Sequence, residues 1–187
     1  MLTLLLPLLV SSSAPALAER TPAPVLTTDV RGFGGPLLGV AQAGDGVVML
    51  TGGRAGLVLA DRWVLGLALA GTPRFLGAGA VPAGDEQLSF WQGEVLVQRL
   101  FLDGVVRPRV GVLVGAAWLQ LERPGGGTRD GLAFAAEPQL GLEVNVARFL
   151  RVGLDVGYRL VAPVPAGLRF TQVSGVSGGL TLHFGWF

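Results

Sequence analysis

A single histidine and two hydroxyl side chains come closest to forming a catalytic set in this chain. His183 is the only imidazole, and Ser177 and Thr181 share its odd-numbered face in the last segment. A Ser-His-acid hydrolase needs hydroxyl, imidazole and carboxylate within hydrogen-bond reach, and no motif fixes such contacts here. A metal site is less favoured still, because the chain has no cysteine and its carboxylates are dispersed. We therefore expect no catalytic residue, no cofactor and no bound metal.

The charged side chains follow a different pattern, which is a period of two. On either side of Ala147-Arg148-Phe149, between residues 137 and 160, the even positions are apolar. The odd positions carry Glu137, Gln139, Glu143, Asn145, Arg151, Asp155 and Arg159 or glycine. Side chains alternate across a strand, so the pattern predicts a hairpin with one apolar face and one polar face. Only 14% of the residues are charged and the mean hydropathy is +0.57. This composition fits a barrel with lipid outside and polar residues inside.

Turn signals divide the rest of the chain into eight alternating pieces, each long enough to span a bilayer as a tilted strand. They run from Gly32 to Ala43, Val47 to Ala60, Trp63 to Phe75, Leu88 to Leu100, Val105 to Leu121, Leu132 to Val146, Leu150 to Ala162 and Val173 to Phe187. Beyond the leader, no stretch has the roughly 18 uninterrupted apolar residues of a transmembrane helix. We predict an all-β fold, an eight-stranded antiparallel up-and-down transmembrane β-barrel over residues 30–187.

The first eighteen residues read as a secretory signal peptide. Leucines dominate the start, three serines follow, and Ala16-Leu17-Ala18 forms a small-residue end suited to signal peptidase. We predict cleavage after Ala18 and a short periplasmic segment over residues 19–29. No Lys or Arg precedes the apolar run, so either the start codon lies a few codons late or the leader is atypical.

Connection lengths alternate between short and long, as they do between the periplasmic and outer sides of such barrels. The short ones are Asp61-Arg62, Asp103-Gly104 and Ala147 to Phe149. A two-residue turn at Asp103-Gly104 would place Gln98 opposite Arg109. A turn that leaves Val146 opposite Leu150 would place Glu137 opposite Arg159 and Asn145 opposite Arg151. Aromatic residues should form girdles near both ends, with Phe33 and Trp63 at the periplasmic side and Phe90 and Trp118 at the outer side.

The inward polar residues are predicted to form one interior network. Its members are Arg54, Glu94, Gln98, Arg107, Arg109, Glu137, Gln139, Glu143, Asn145, Arg151, Asp155 and Arg159. An eight-stranded barrel is only wide enough for side chains to fill its interior, and buried charges need partners. We therefore interpret these residues as a structural plug, with a proton or ligand path as the alternative.

The leader, the eight segments and the ending Leu182-His183-Phe184-Gly185-Trp186-Phe187 resemble the small outer-membrane barrels of Gram-negative bacteria, typified by the outer membrane protein A and X barrels. The resemblance implies a monomer in outer-membrane lipid, with Leu182, Phe184, Trp186 and Phe187 as the signal read by the barrel assembly machinery. Phe187 lies one residue out of register with the others.

The resemblance also implies a non-enzymatic protein with a structural or surface-interaction role. The alternatives are porin-like binding or passage of a small solute, and an enzyme that modifies lipid A or phospholipid, although the deacylases of that group carry an H-x-S pattern absent here. A net charge of +1 gives no electrostatic reason for a nucleic-acid partner.

Overall fold

The computed structural model describes residues 30–44, 46–72, 81–83, 86–122, 127–163 and 170–187. The predicted signal peptide and the 19–29 segment lie outside these residues. The elements are β1 Val30–Ala43, β2 Gly46–Leu59, β3 Trp63–Gly71, β4 Val81–Ala83, β5 Glu86–Leu100, β6 Val106–Glu122, β7 Thr128–Ala147, β8 Leu150–Ala162, α1 Phe170–Val173 and β9 Gly175–Gly185.

Eight of these strands close into an antiparallel barrel. Each pairs with its neighbour in sequence, β9 pairs with β1, and β3 pairs directly with β5. The three-residue β4 only extends the start of β5. The predicted fold class is therefore confirmed. In the part of the chain that the structure describes, no helix is long and apolar enough to cross a membrane.

Two ends of the barrel can be told apart by their connections. At one end, which we call the turn end, residues 60–62, 101–105 and 148–149 join the strands. The opposite end, the loop end, carries the Glu122–Thr128 pair of the β6–β7 hairpin and the α1 helical turn. The start of β7 differs most from the expected bounds, since it lies at Thr128 rather than Leu132. β3 ends at Gly71, and its predicted end at Phe75 lies outside the described residues. β9 follows α1 and runs from Gly175 to Gly185 rather than from Val173 to Phe187.

The alternation of polar and apolar residues in the sequence matches the alternation of buried and exposed side chains in the barrel. Gln139 is 6% exposed, whereas its neighbour Leu140 is 67% exposed, and the apolar residues Leu67 and Leu154 also lie on the outer face. The outer face is thus largely apolar, as a bilayer requires.

The β7–β8 register agrees with prediction over most of its length. Gln139 pairs with Gly157 and Asn145 with Arg151, but a bulge puts Ala147, not Val146, opposite Leu150. An extra residue on one strand of a pair is what a bulge accommodates.

The predicted turn at Asp103-Gly104 is wrong. Gln98 pairs with Gly111 and Leu100 with Arg109, so the connection spans residues 101–105. The left-handed residue is Leu102, with φ of 64°, and the Phe101 N–H donates to the Pro108 carbonyl at 2.8 Å. Because the register shift is two residues, Gln98 and Arg109 keep their inward direction.

The interior is apolar over much of its length, which the alternation pattern did not predict. A loop-end cluster contains the buried residues Ala41, Ala43, Val48, Leu50, Phe90, Ala117, Leu119, Leu121, Ala133, Ala135, Val161 and Val173. A turn-end cluster contains Phe33, Val58, Val64, Ala68, Leu96, Leu100 and Leu113, with Phe187 packed against it. Phe33 and Phe90, expected in the girdles, therefore point inward. Trp63, Phe149, Trp91 and Trp118 lie exposed near the ends.

Candidate functional site: the interior charge network

Asp155, on β8, is the centre of the interior charge network. Its Oδ2 accepts from Arg54 Nη1 at 2.8 Å and from Arg109 Nη2 at 2.7 Å, while Oδ1 accepts from Arg109 Nε at 2.9 Å. The Arg109 guanidinium thus binds the carboxylate through two parallel hydrogen bonds, the strong bidentate geometry for such a pair. Asp155 joins β2, β6 and β8 across the barrel, and all three side chains are buried.

Glu143 forms a second node nearer the turn end. Its carboxylate accepts from Arg109 Nη1 at 3.3 Å and from Arg151 Nη1 at 3.0 Å. His183 Nδ1 lies 3.2 Å from Glu143 Oε2, and its ring packs against the Phe33 ring at a tilt of 42°, with centroids 4.5 Å apart. Because Arg109 bonds both Asp155 and Glu143, the two nodes form one connected unit.

The network continues toward the loop end through neutral partners. Gln139 Oε1 accepts from Arg54 Nη2 at 3.0 Å, and Gln139 Nε2 donates to Glu137 Oε1 at 2.5 Å. Ser177 Oγ also donates to Glu137 Oε1, at 2.8 Å. The Glu137 carboxylate is therefore held by hydrogen bonds from an amide and a hydroxyl.

Glycines on the inner face make room for the network. A Cβ added at Gly153 would collide with the Arg109 guanidinium and the Thr181 hydroxyl, and one added at Gly141 would collide with Asp155 and the Leu154 carbonyl. A glycine in a strand interior is unfavourable by itself. Here it lets long arginines cross a narrow lumen.

Arg159 departs from its predicted partner. It lies in register with Glu137 across β7 and β8, but its Nε donates to the Val173 carbonyl at 3.2 Å and its Nη2 to the Gln42 carbonyl at 3.4 Å. Its guanidinium also lies 4.3 Å from the centroid of the Phe90 ring. Arg159 therefore fastens α1 and the end of β1 to the loop-end cluster.

The remaining predicted members lie on the inner face without joining the ion pairs described above. Glu94 accepts from Gln92 Nε2 at 3.2 Å, and its other oxygen has no partner. Gln98 is buried on the inner face. Asn145 donates to the Gly104 carbonyl at 2.7 Å, and Arg107 donates to the Asp61 carbonyl.

The residues of the hydrolase alternative are occupied otherwise. Ser177 donates to Glu137, Thr181 accepts from Arg109 at 3.4 Å, and His183 contacts Glu143. Within the described ranges, no hydrogen bond joins His183 to either hydroxyl. The same residues contain no cluster of three or more His, Asp or Glu side chains placed to hold a metal ion.

The space left inside the barrel is small. A cavity of about 30 Å³ lies beside Arg54, Gln92, Glu94 and Glu137. This volume is enough for one or two waters. Among the described residues, the loop-end cluster lies on one side of this cavity and the charge network on the other, so this part of the interior is packed rather than open.

Comparison with solved structures yields small outer-membrane barrels. The N-terminal β-barrel domain of Pseudomonas aeruginosa OprF superposes with a TM-score of 0.60 at 14% identity, with 84% of this chain and 97% of that domain covered. Neisserial surface protein A gives a TM-score of 0.54 at 13% identity, with 84% and 96% covered. The chain has the fold of the small eight-stranded outer-membrane β-barrels.

A third solved structure with this barrel fold is Ail, the attachment invasion locus protein of Yersinia pestis. It gives a TM-score of 0.52 at 13% identity, with 84% of this chain and 97% of Ail covered. No protein-family model matches the chain, and no curated protein matches it. At such identities the likeness shows the barrel fold and transfers no activity.

Proposed function

We propose that this protein is a monomeric integral barrel of the bacterial outer membrane whose closed interior holds the fold together and whose loop end interacts with molecules outside the cell. The observation that carries the proposal is the filled lumen, in which Asp155, Arg109 and Glu143 bridge strands and the loop-end cluster covers them. The protein acts without catalysis and without a cofactor.

The outer face supports the membrane location. Apolar side chains cover it between two sets of exposed aromatics, including Trp63 and Phe149 at the turn end and Trp91 and Trp118 at the loop end. Aromatic residues favour the interfaces of a bilayer. Arg99, on the outer face, lies 5.6 Å from the Trp63 ring centroid and 5.4 Å from the Phe101 centroid. These contacts suit a charge at headgroup level.

The β6–β7 hairpin supports a surface role for the loop end. Beyond the interfacial Trp118–Leu132 pair, the hairpin continues through Gln120–Asp130 to Glu122–Thr128. These outward positions are polar, unlike the lipid-facing positions below them. The hairpin therefore rises out of the apolar belt and presents polar side chains to solvent. The names surface protein and attachment invasion locus protein, carried by barrels of this fold, support such a role.

The turn end, where β1 begins at Val30, then faces the periplasm. The assembly-signal residues lie at this end. Phe184 and Trp186 are exposed. Phe187 packs against the turn-end cluster, and its ring centroid lies 3.9 Å from Arg151 Cζ. We propose that the barrel assembly machinery reads Leu182, Phe184 and Trp186, with Phe187 contributing to the closed interior.

Conductance across a planar bilayer tests the filled lumen. The refolded protein should give no stable current steps, because ions would have to cross both the charge network and the loop-end cluster. A large porin in the same bilayer serves as the positive control for insertion and detection. Reproducible single-channel steps from the purified barrel would overturn the closed-interior proposal and favour solute passage.

A further inference from the structure

The turn end of the barrel contains an open polar basin that the interior network does not use. Its volume is about 420 Å³, within the range of small-ligand sites. The charged residues that line the basin are Arg31, Asp61, Arg62, Asp103, Arg107 and Arg151. It lies at the mouth, below the Glu143 node, and the packed interior closes it on the opposite side.

The arginines of the basin outnumber the carboxylates available to them. Arg31 pairs with Asp61 at 3.1 Å, and Arg151 pairs with Glu143 at 3.0 Å. Among the described residues, neither Arg62 nor Arg107 has a carboxylate within ion-pair distance. Asp103 also lines the basin, but no ion pair joins it to either arginine. The basin therefore holds two arginines without a direct carboxylate partner, and its four arginines exceed Asp61, Asp103 and Glu143 by one positive charge.

Arg107 is the more informative of these two arginines. Its side chain is buried, with 5% of its surface exposed, and it lines the basin. One Nη donates to the Asp61 carbonyl, but the buried Nε has no hydrogen-bond partner. A buried, unpaired guanidinium is costly unless something supplies an acceptor. The open side of the basin is where such an acceptor can enter.

Charge and geometry favour a phosphate group as that acceptor. A guanidinium offers a planar fork of donors that matches the oxygens of phosphate or carboxylate. A carboxylate brings one negative charge, whereas a phosphate monoester carries about 1.5 to 2 at neutral pH. A phosphate also presents three acceptor oxygens, so it can accept from both arginines at once. The Asn145 side chain, fixed by its bond to the Gly104 carbonyl, stands at the same rim.

We propose that this basin binds a phosphate group presented from the periplasmic side, with Arg107 and Arg62 as its ligands. The basin lies inside the rim of the barrel, so a small soluble phosphate compound reaches it without leaving water. A phospholipid headgroup would have to bend inward over the rim. The site is separate from the proposed structural and surface role, which does not depend on it.

Titration of the refolded barrel with inorganic phosphate, by calorimetry in detergent micelles at constant ionic strength, tests the proposal. The native chain should bind phosphate, and R107Q and R62Q should each weaken binding tenfold or more. Arg99 lies at the same end but on the lipid face, so R99Q is the matched control and should bind as the native chain does. Arg62 is exposed, so R62Q remains informative if R107Q fails to fold.

A second arm uses vesicles that contain phosphatidylglycerol in place of free phosphate. Arg62-dependent binding of phosphate in micelles supports a soluble ligand, and Arg62-dependent binding of the vesicles alone assigns the phosphate to a lipid headgroup. Absence of Arg62-dependent and Arg107-dependent binding in both arms, or an equal loss with R99Q, would overturn the proposal.

Discussion

Replacing Asp155 with asparagine is expected to destabilise the folded barrel by about 3–5 kcal/mol, the usual cost of breaking a buried ion pair by removing one partner. The change keeps the shape of the side chain but removes the charge that Arg54 and Arg109 share at 2.7–2.9 Å. Both guanidiniums are buried, so neither regains the hydration it would have in bulk water when the carboxylate is lost. The free energy of unfolding in urea, measured after insertion into lipid vesicles, gives the comparison.

Glu94 provides the matched control for this substitution. It is also a buried carboxylate on the inner face, but it accepts only from Gln92, and one of its oxygens has no partner. E94Q should therefore change the free energy of unfolding by no more than about 1 kcal/mol, since a buried acceptor without a partner adds little stability. Equal effects of D155N and E94Q would show that Asp155 is not the centre of a network.

The second large effect on the free energy of unfolding is expected when Leu154 is replaced with arginine. This substitution tests the outer face of the strand that carries Asp155. Leu154 is 55% exposed in the middle of β8. If lipid covers it, an arginine there should lower the free energy of unfolding in vesicles by about 2–4 kcal/mol, the range for a charge near the bilayer midplane. In water the same substitution on an exposed strand would cost little.

Val105 is the control for the lipid-facing position. It is 67% exposed, as apolar as Leu154, and lies in the turn-end connection between β5 and β6. V105R should be tolerated within about 1 kcal/mol, because charges near the interface cost far less than at the midplane. A cost for V105R as large as that for L154R would mean that burial in protein, and not depth in lipid, explains the effect.

The sequence predicts best where the two faces of a strand differ in chemistry. On β7 and β8, glutamate, arginine and glycine alternate with leucine and valine, so the residue types alone identify the inner face. On β6 the inward Leu119 follows the outward Trp118, and both are apolar. Where the inward and outward positions of a strand are both apolar, their residue types do not distinguish the two faces. The alternation pattern therefore does not reveal the apolar part of the interior.

Strand register and the hydrogen-bond partners of individual side chains were harder to predict from the sequence. Asp103-Gly104 has the composition of a tight turn, but Leu102 takes the left-handed conformation and the loop is longer. A two-residue shift leaves every side chain on its own face, so the hydrophobic pattern cannot detect it. Arg159 bonds to carbonyls of residues 42 and 173, which only the closed barrel brings together.

Spin-label accessibility in vesicles tests most directly whether the apolar face meets lipid while the polar face is enclosed. The chain has no cysteine, so single cysteines at Leu140, Leu154 and Val156 can each carry a nitroxide, with Val105 as the reference. In a membrane-spanning barrel, the three strand labels should collide readily with oxygen and poorly with a water-soluble nickel reagent, while the label at residue 105 should be open to nickel. Nickel access at residues 140, 154 and 156 equal to that at 105 would contradict a lipid-facing barrel.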